Sequence, residues 1–307
     1  RATRDPFRAG SFATGSVTVT DGTFTGNSAT YGGGFRADYA AASVVDSDFS
    51  ANTASIGGGG LYVQSANLTL SGGSFTGNSA SWGGAIRIDG GTATISGGDF
   101  SANTAAGDGG GALFGYNAHL AVSGGRYHEN SGAYGGAIRL YSGTATIVGV
   151  DFTANTAGYG GAIHSDPGTL SVTGGSFTSN SAGNGGAIYG QYVTITDGTF
   201  TTNSATYGGA AIAIRDLSVT GSTFVGNTAV QTAGALGKSG GVGEHSFVVT
   251  NSTFVANYSG NLGGALITDA PLTVRYSTFV DNTAGGSGGA FYTNSTIAFD
   301  HLLLVGS

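Results

Sequence analysis

Few side chains in this sequence can do chemistry. Its 307 residues include 10 Lys and Arg, 17 Asp and Glu and 5 His. Proton abstraction or paired-carboxylate hydrolysis requires acids and bases held close together, yet Glu occurs only at Glu129 and Glu244. Arg139 and His164, about one repeat apart, with Asp166 nearby, form the best set for cleaving a polysaccharide as a lyase or hydrolase. His128 with Glu129, and Glu244 with His245, are neighbours in sequence, so on a strand they point to opposite faces. So sparse a set predicts no enzyme. With 0 Cys there is no disulfide, thiolate nucleophile or Cys-based metal site. Asp21-Gly22 and Asp197-Gly198 are adequately explained as turns, and no metal or other cofactor is expected.

Residues suited to binding are more numerous and regularly placed. Arg36, Tyr62, Arg87, Phe114, Arg139, His164, Tyr189 and Tyr292 each follow a Gly-rich block, and Tyr31, Trp82, Tyr134, Tyr159 and Tyr207 each precede one. Stacked once per turn, the first set makes an outward Arg/aromatic stripe. Exposed aromatics and Arg are enriched at interfaces and stack on sugar rings, although stacked aromatics also stabilise a sheet face. A second array is Thr/Ser: Thr18/Thr20, Thr69/Ser71, Thr94/Ser96, Ser171/Thr173, Thr194/Thr196 and Ser218/Thr220. A flat Thr-x-Thr surface resembles the ice-binding faces of antifreeze β-solenoids. Here Ala121, Val148, Val248 and Arg275 interrupt it, and Thr is favoured on any exposed strand.

What positions these residues is a repeat. An aromatic residue followed three positions later by Asn recurs at Phe24/Asn27, Phe49/Asn52, Phe75/Asn78, Phe100/Asn103, Tyr127/Asn130, Phe152/Asn155, Phe177/Asn180, Phe200/Asn203, Phe224/Asn227, Phe254/Asn257 and Phe279/Asn282. Phe24 and Phe279 lie 255 residues apart over ten intervals, a mean period of 25.5 residues. Each repeat opens with period-two alternation, as at Leu68/Leu70, Ala145/Ile147 and Leu170/Val172, the mark of a half-buried strand. Three short strands and three turns per period predict an all-β, single-domain right-handed parallel β-helix (a β-solenoid) with about 25 residues per coil. Roughly twelve coils stacked at about 4.8 Å make a rod of roughly 55–60 Å.

In that fold Phe75, Phe100, Phe152 and Phe177 stack as an inward aromatic ladder. Asn78, Asn103, Asn155 and Asn180 sit in turns, tolerating left-handed geometry and bonding to backbone and to each other. Residues 1–15 lack the repeat and form an N-terminal cap or docking arm. The β-helix spans 16–307, with a lateral loop near 234–244 where the interval lengthens to 30 residues between Phe224 and Phe254. Phe7 at one end and Phe299, Leu302, Leu303 and Leu304 at the other invite pairing with another copy.

A net charge of −7 and pI near 4.9 make nucleic acid and anionic membranes poor partners. The sequence lacks an apolar run of 18 residues, so membrane insertion by this chain is not expected. The chain starts without Met, which suggests a processed start and secretion. Phe-x-x-Asn paired with Gly-Gly-Ala-(Ile/Leu/Val) resembles the repeat of the chlamydial polymorphic membrane proteins, most cleanly over Phe75 to Ile86, Phe152 to Ile163 and Phe177 to Ile188. That resemblance implies an extracellular, autotransporter-type passenger at the cell surface, adhesive or structural and without catalysis. This chain departs from it in having no Cys and no recognisable membrane β-barrel after its repeats. The expected function is a secreted structural or adhesive β-solenoid that assembles end to end into a surface fibre or sheath. Its partners would be other copies of itself or a cell-surface protein or glycan. The alternatives are an adhesin passenger binding a host receptor or glycan, an ice binder, and a polysaccharide lyase or hydrolase.

Overall fold

Alternation places every second residue of the opening strand inward, and the computed structural model shows what it packs on. The structure describes residues 7–9, 15–238 and 245–307. Along Thr92–Ser96, Ala93 and Ile95 are buried while the intervening Thr94 is exposed. A single coil cannot bury such residues by itself; parallel coils stacked in register can. The described chain winds accordingly as an all-β, right-handed parallel β-solenoid of about 25 residues per coil. Its strands form three sheets of 19, 12 and 11 strands, and all strand pairings are parallel.

One coil illustrates the design. Ile163–Thr173 runs along the first sheet, Ser176–Thr178 along the second and Ser181–Asn184 along the third, before Ile188 begins the next coil. In register across coils, Phe152 faces Phe177 and Phe177 faces Phe200. The aromatic ladder runs unbroken from Phe24 to Phe279. Its successive ring centroids lie 4.4–5.3 Å apart.

The Asn ladder is equally continuous. The Asn155 Oδ1 accepts from both the backbone N–H and the Nδ2 of Asn130 (3.0 Å each), while its own Nδ2 donates back to the Tyr127 carbonyl (2.8 Å) and forward to Asn180 Oδ1 (3.0 Å). From Asn52 to Asn257, each Asn thus straps three coils together. The left-handed geometry expected at these Asn residues falls instead on the residue before. Ala51, Ala102, Glu129, Ala154, Ser179, Thr202, Ala256 and Asp281, together with Gly26, Gly77 and Gly226, all have φ between 51° and 65°. The reason is that the Asn side chain must turn inward to join the ladder, so the chain reverses one residue earlier.

The paired glycines divide their labour. Gly160 adopts φ 62°, a turn conformation that a Cβ disfavours. Gly161 is needed for another reason: a Cβ there would lie 2.0 Å from the Gly186 carbonyl oxygen of the next coil.

At the N-terminus, Phe7–Ala9 pairs in parallel with Phe35–Ala37, adding a strand to the first sheet ahead of the first full coil. The remaining positions of the expected cap, 1–6 and 10–14, and the side chain of Phe7 lie outside the described residues. So does 239–244 of the expected lateral loop. Its first part differs from expectation, because Leu236–Lys238 is a strand paired to both neighbouring coils. Residues 234–236 repeat the coil's own Gly-Ala-Leu turn, which leaves the extra residues to follow it. At the far end Leu302 packs against the core, while Phe299, Leu303 and Leu304 are exposed.

Candidate binding groove

The two sets of Arg and aromatic residues flank one corner of the solenoid, where the third sheet turns through the glycines into the first. Register carries the first set from coil to coil: Arg36 faces Tyr62, Tyr62 faces Arg87, then Phe114, Arg139, His164 and Tyr189 follow in line. Ile212, Gly237 and Ile267 then interrupt the row before Tyr292. On the other side of the corner, Tyr134 faces Tyr159, and Asn184 separates Tyr159 from Tyr207. Tyr31 and Trp82 occupy the same row, with Gly57 between them.

The rows lean across the corner onto each other. Tyr31 and Tyr62 have ring centroids 4.9 Å apart, and His164 meets Tyr134 edge-on at 5.1 Å and stacks on Tyr189 at 5.4 Å. The guanidinium carbons sit over rings: Arg36 at 5.1 Å from Tyr31, Arg87 at 4.7 Å from Trp82 and Arg139 at 4.3 Å from Tyr134. This mutual covering corrects the expectation of an exposed stripe. Tyr62, Phe114, Arg139 and His164 are buried; Arg36, Arg87, Tyr189, Tyr31, Trp82 and Tyr134 are half-buried; Tyr159 and Tyr207 remain exposed. The stripe is therefore the floor of a groove, not a raised ridge.

Sequence reasoning passed over a third row two residues beyond the stripe, on the same face of the strand. Asp38 takes the Arg36 Nε at 2.7 Å and Asp89 takes the Arg87 Nε at 2.8 Å. The Tyr62 hydroxyl donates to Asp89 Oδ2 at 2.7 Å, and burial followed by that bond pushes the phenol well above its usual range. Tyr116 and Tyr141 continue the row, stacked 5.5 Å apart. Period-two counting from each stripe residue would have found them.

Three cavities open along the groove. One of about 190 Å³ lies against Trp82, Phe114, Tyr116 and Arg139. A second, of about 360 Å³, brings Arg139, His164 and Asp166 together with Tyr134, Tyr159 and Tyr189. A third, of about 230 Å³, lies between Tyr189, Tyr207, Ile212 and Ile267. The structure thus gathers the three residues that the sequence grouped. Burial, and then the Arg139 charge, lowers His164 from its ordinary 6.5 to about 3, so the imidazole is neutral. Burial raises the Asp166 carboxyl, opposed by Arg139 and Arg215. Burial also raises Tyr189, with the Asp166 charge next, and lowers Arg139 against the pull of Asp108. Among the described residues, Asp166 is the one carboxylate that lines the second cavity. Elsewhere, His128 pairs with Asp99 at 3.0 Å and His245 with Asp216 at 3.6 Å. Among the described residues, no group of three or more His, Asp or Glu is placed to hold a metal ion.

The Thr/Ser array lies on the far half of the first sheet. Its two outward rows are in register but broken, one by Ala121 and Val248, the other by Val45, Val148 and Arg275.

Fold and groove together define a parallel β-solenoid with an Arg/aromatic corner. Four segments, residues 72–89, 149–166, 174–191 and 276–294, match the Chlamydia polymorphic membrane protein repeat. Each match runs from the turn before the aromatic ladder residue, through the Gly pair, to the stripe, and so takes in Arg87, His164, Tyr189 and Tyr292. No curated protein and no solved structure matches the chain.

Proposed function

We propose that this chain is a non-enzymatic, surface-displayed or secreted β-solenoid that binds a protein or glycan partner along its Arg/aromatic groove, the rod serving as rigid support. The observation that carries this is the unbroken Arg/aromatic row from Arg36 to Tyr189. Over seven coils, rings and guanidinium groups are stacked at one corner, outside the hydrophobic core cluster. Interfaces favour such side chains because they bring large, amphipathic contact area at low entropic cost. The repeat match supports display at a cell surface. The test is adhesion of the labelled chain to cultured cells. A Tyr134→Ser/Tyr159→Ser variant should lose most binding, and a Thr146→Ala/Thr194→Ala variant on the Thr face should keep it. Full adhesion by the groove variant would overturn the reading.

A further inference from the structure

Arg139 differs from the other arginines of the stripe. Arg36 and Arg87 each donate Nε to an aspartate two residues on, Asp38 and Asp89. Two residues on from Arg139 stands Tyr141, and the Arg139 Nε has no hydrogen-bond partner. Asp108 and Asp166 act on it electrostatically, but among the described residues no carboxylate lies within ion-pair distance of it. Only 8% of Arg139 is exposed. A buried guanidinium without a counter-charge is costly, and here it is held in place by the rings of Tyr134, Phe114 and Tyr141. Beside it the His164 Nδ1 is likewise buried and unpartnered.

We propose that the cavity beside Arg139 receives an acidic sugar residue, a pyranose bearing a carboxylate. The ligand carboxylate supplies, at the part of the guanidinium that lines the cavity, the counter-charge that Asp38 and Asp89 supply to the other two arginines. The sugar ring lies against Tyr134, Tyr159 and Tyr189, and Asp166 accepts from its hydroxyls. The cavity's volume, about 360 Å³, suits a ring of that size. A cationic ligand is disfavoured because Arg139 already occupies the aromatic faces that would hold it. A bare carboxylate, such as an acidic peptide side chain, leaves the tyrosine surface and Asp166 unused. This inference rests on the groove being a binding surface and names its ligand class.

The test is calorimetric titration of the whole chain with four probes: a sialylated trisaccharide, a uronic-acid trisaccharide, the methyl ester of whichever binds, and a short Glu-containing peptide. Loss of a charge-assisted bond predicts that esterification and Arg139→Gln each weaken binding about 10- to 100-fold. Combined, they should do little more than either does singly. Arg139→Lys should recover part of the loss, because an ammonium lacks the bidentate fork. Arg126→Gln, an exposed arginine on the second sheet, should bind as wild type. Which trisaccharide binds identifies the source of the carboxylate. The proposal is overturned if the ester binds equally, if the peptide binds as tightly as the sugar, or if Arg139→Gln has no effect. If none of the probes binds while Tyr134→Ser/Tyr159→Ser still abolishes adhesion, the acidic sugar fails and the groove stands. If that variant adheres normally, the groove itself fails.

Discussion

Replacing Asn155 by Ala would test whether the Asn ladder holds the coils together. The substitution removes four hydrogen bonds. Two are donated by the Asn155 Nδ2, to Tyr127 O and Asn180 Oδ1, and two are accepted by Oδ1, from the Asn130 backbone N–H and Nδ2. The losses are unequal. Asn130 Nδ2 keeps its bond to Phe100 O, and Asn180 Oδ1 keeps the Asn155 backbone N–H. The Asn130 N–H, whose bonded acceptor was the deleted oxygen, is stranded in a fully buried site. That orphan costs about 1–3 kcal/mol, and each of the other three bonds about 0.5–1.5 kcal/mol. With relaxation into the vacated space, the expected loss is about 3–5 kcal/mol, near the upper end for single substitutions. Urea unfolding followed by far-UV circular dichroism measures it, and hydrogen exchange localises it. Exchange should accelerate first at residues 127–130 and 152–155, because a solenoid's stability is a sum over neighbouring coils. A loss below about 1 kcal/mol would refute the reasoning, since each bond would then be worth no more than its solvated counterpart.

Four further outcomes follow from single sites. Tyr127 fills a Phe position in the ladder, yet its buried hydroxyl has no partner and burial pushes its ionisation far above the usual range. Tyr127→Phe should therefore raise stability by about 1–2 kcal/mol, read from the urea midpoint. Ala154 holds φ 55° where other coils place Gly26, Gly77 or Gly226, so Ala154→Gly should stabilise by about 1 kcal/mol, and Gly161→Ala should destabilise by several times that because its Cβ meets the next coil's backbone. His164 has a folded-state pKa of about 3 against an ordinary 6.5. The folded protein thus binds fewer protons than the unfolded chain between those values. Stability should be complete above pH 6.5 and fall as pH drops toward 3, and His164→Gln should flatten that part of a melting-temperature profile.

The repeat alone determined the fold. Phe and Asn three positions apart, recurring every 25.5 residues on average, leave no alternative to stacked coils, because a period that short cannot bury its own apolar side chains. The ladders at Phe75, Phe100, Phe152 and Phe177, the Asn series and the alignment of the Arg/aromatic stripe follow from the same periodicity. Tertiary structure decided what periodicity does not encode. Counting cannot show that a backbone reverses at Ala154 rather than Asn155, since that depends on where the amide must reach. Nor can it show that Arg139 and His164 are covered rather than exposed, because the covering comes from Tyr134 and Tyr159 across a corner whose angle depends on packing. The groove's most informative feature, an arginine without the aspartate its equivalents have, appears only once Arg36, Arg87 and Arg139 are superposed by register, for a charge acquires its partner in space and not in sequence.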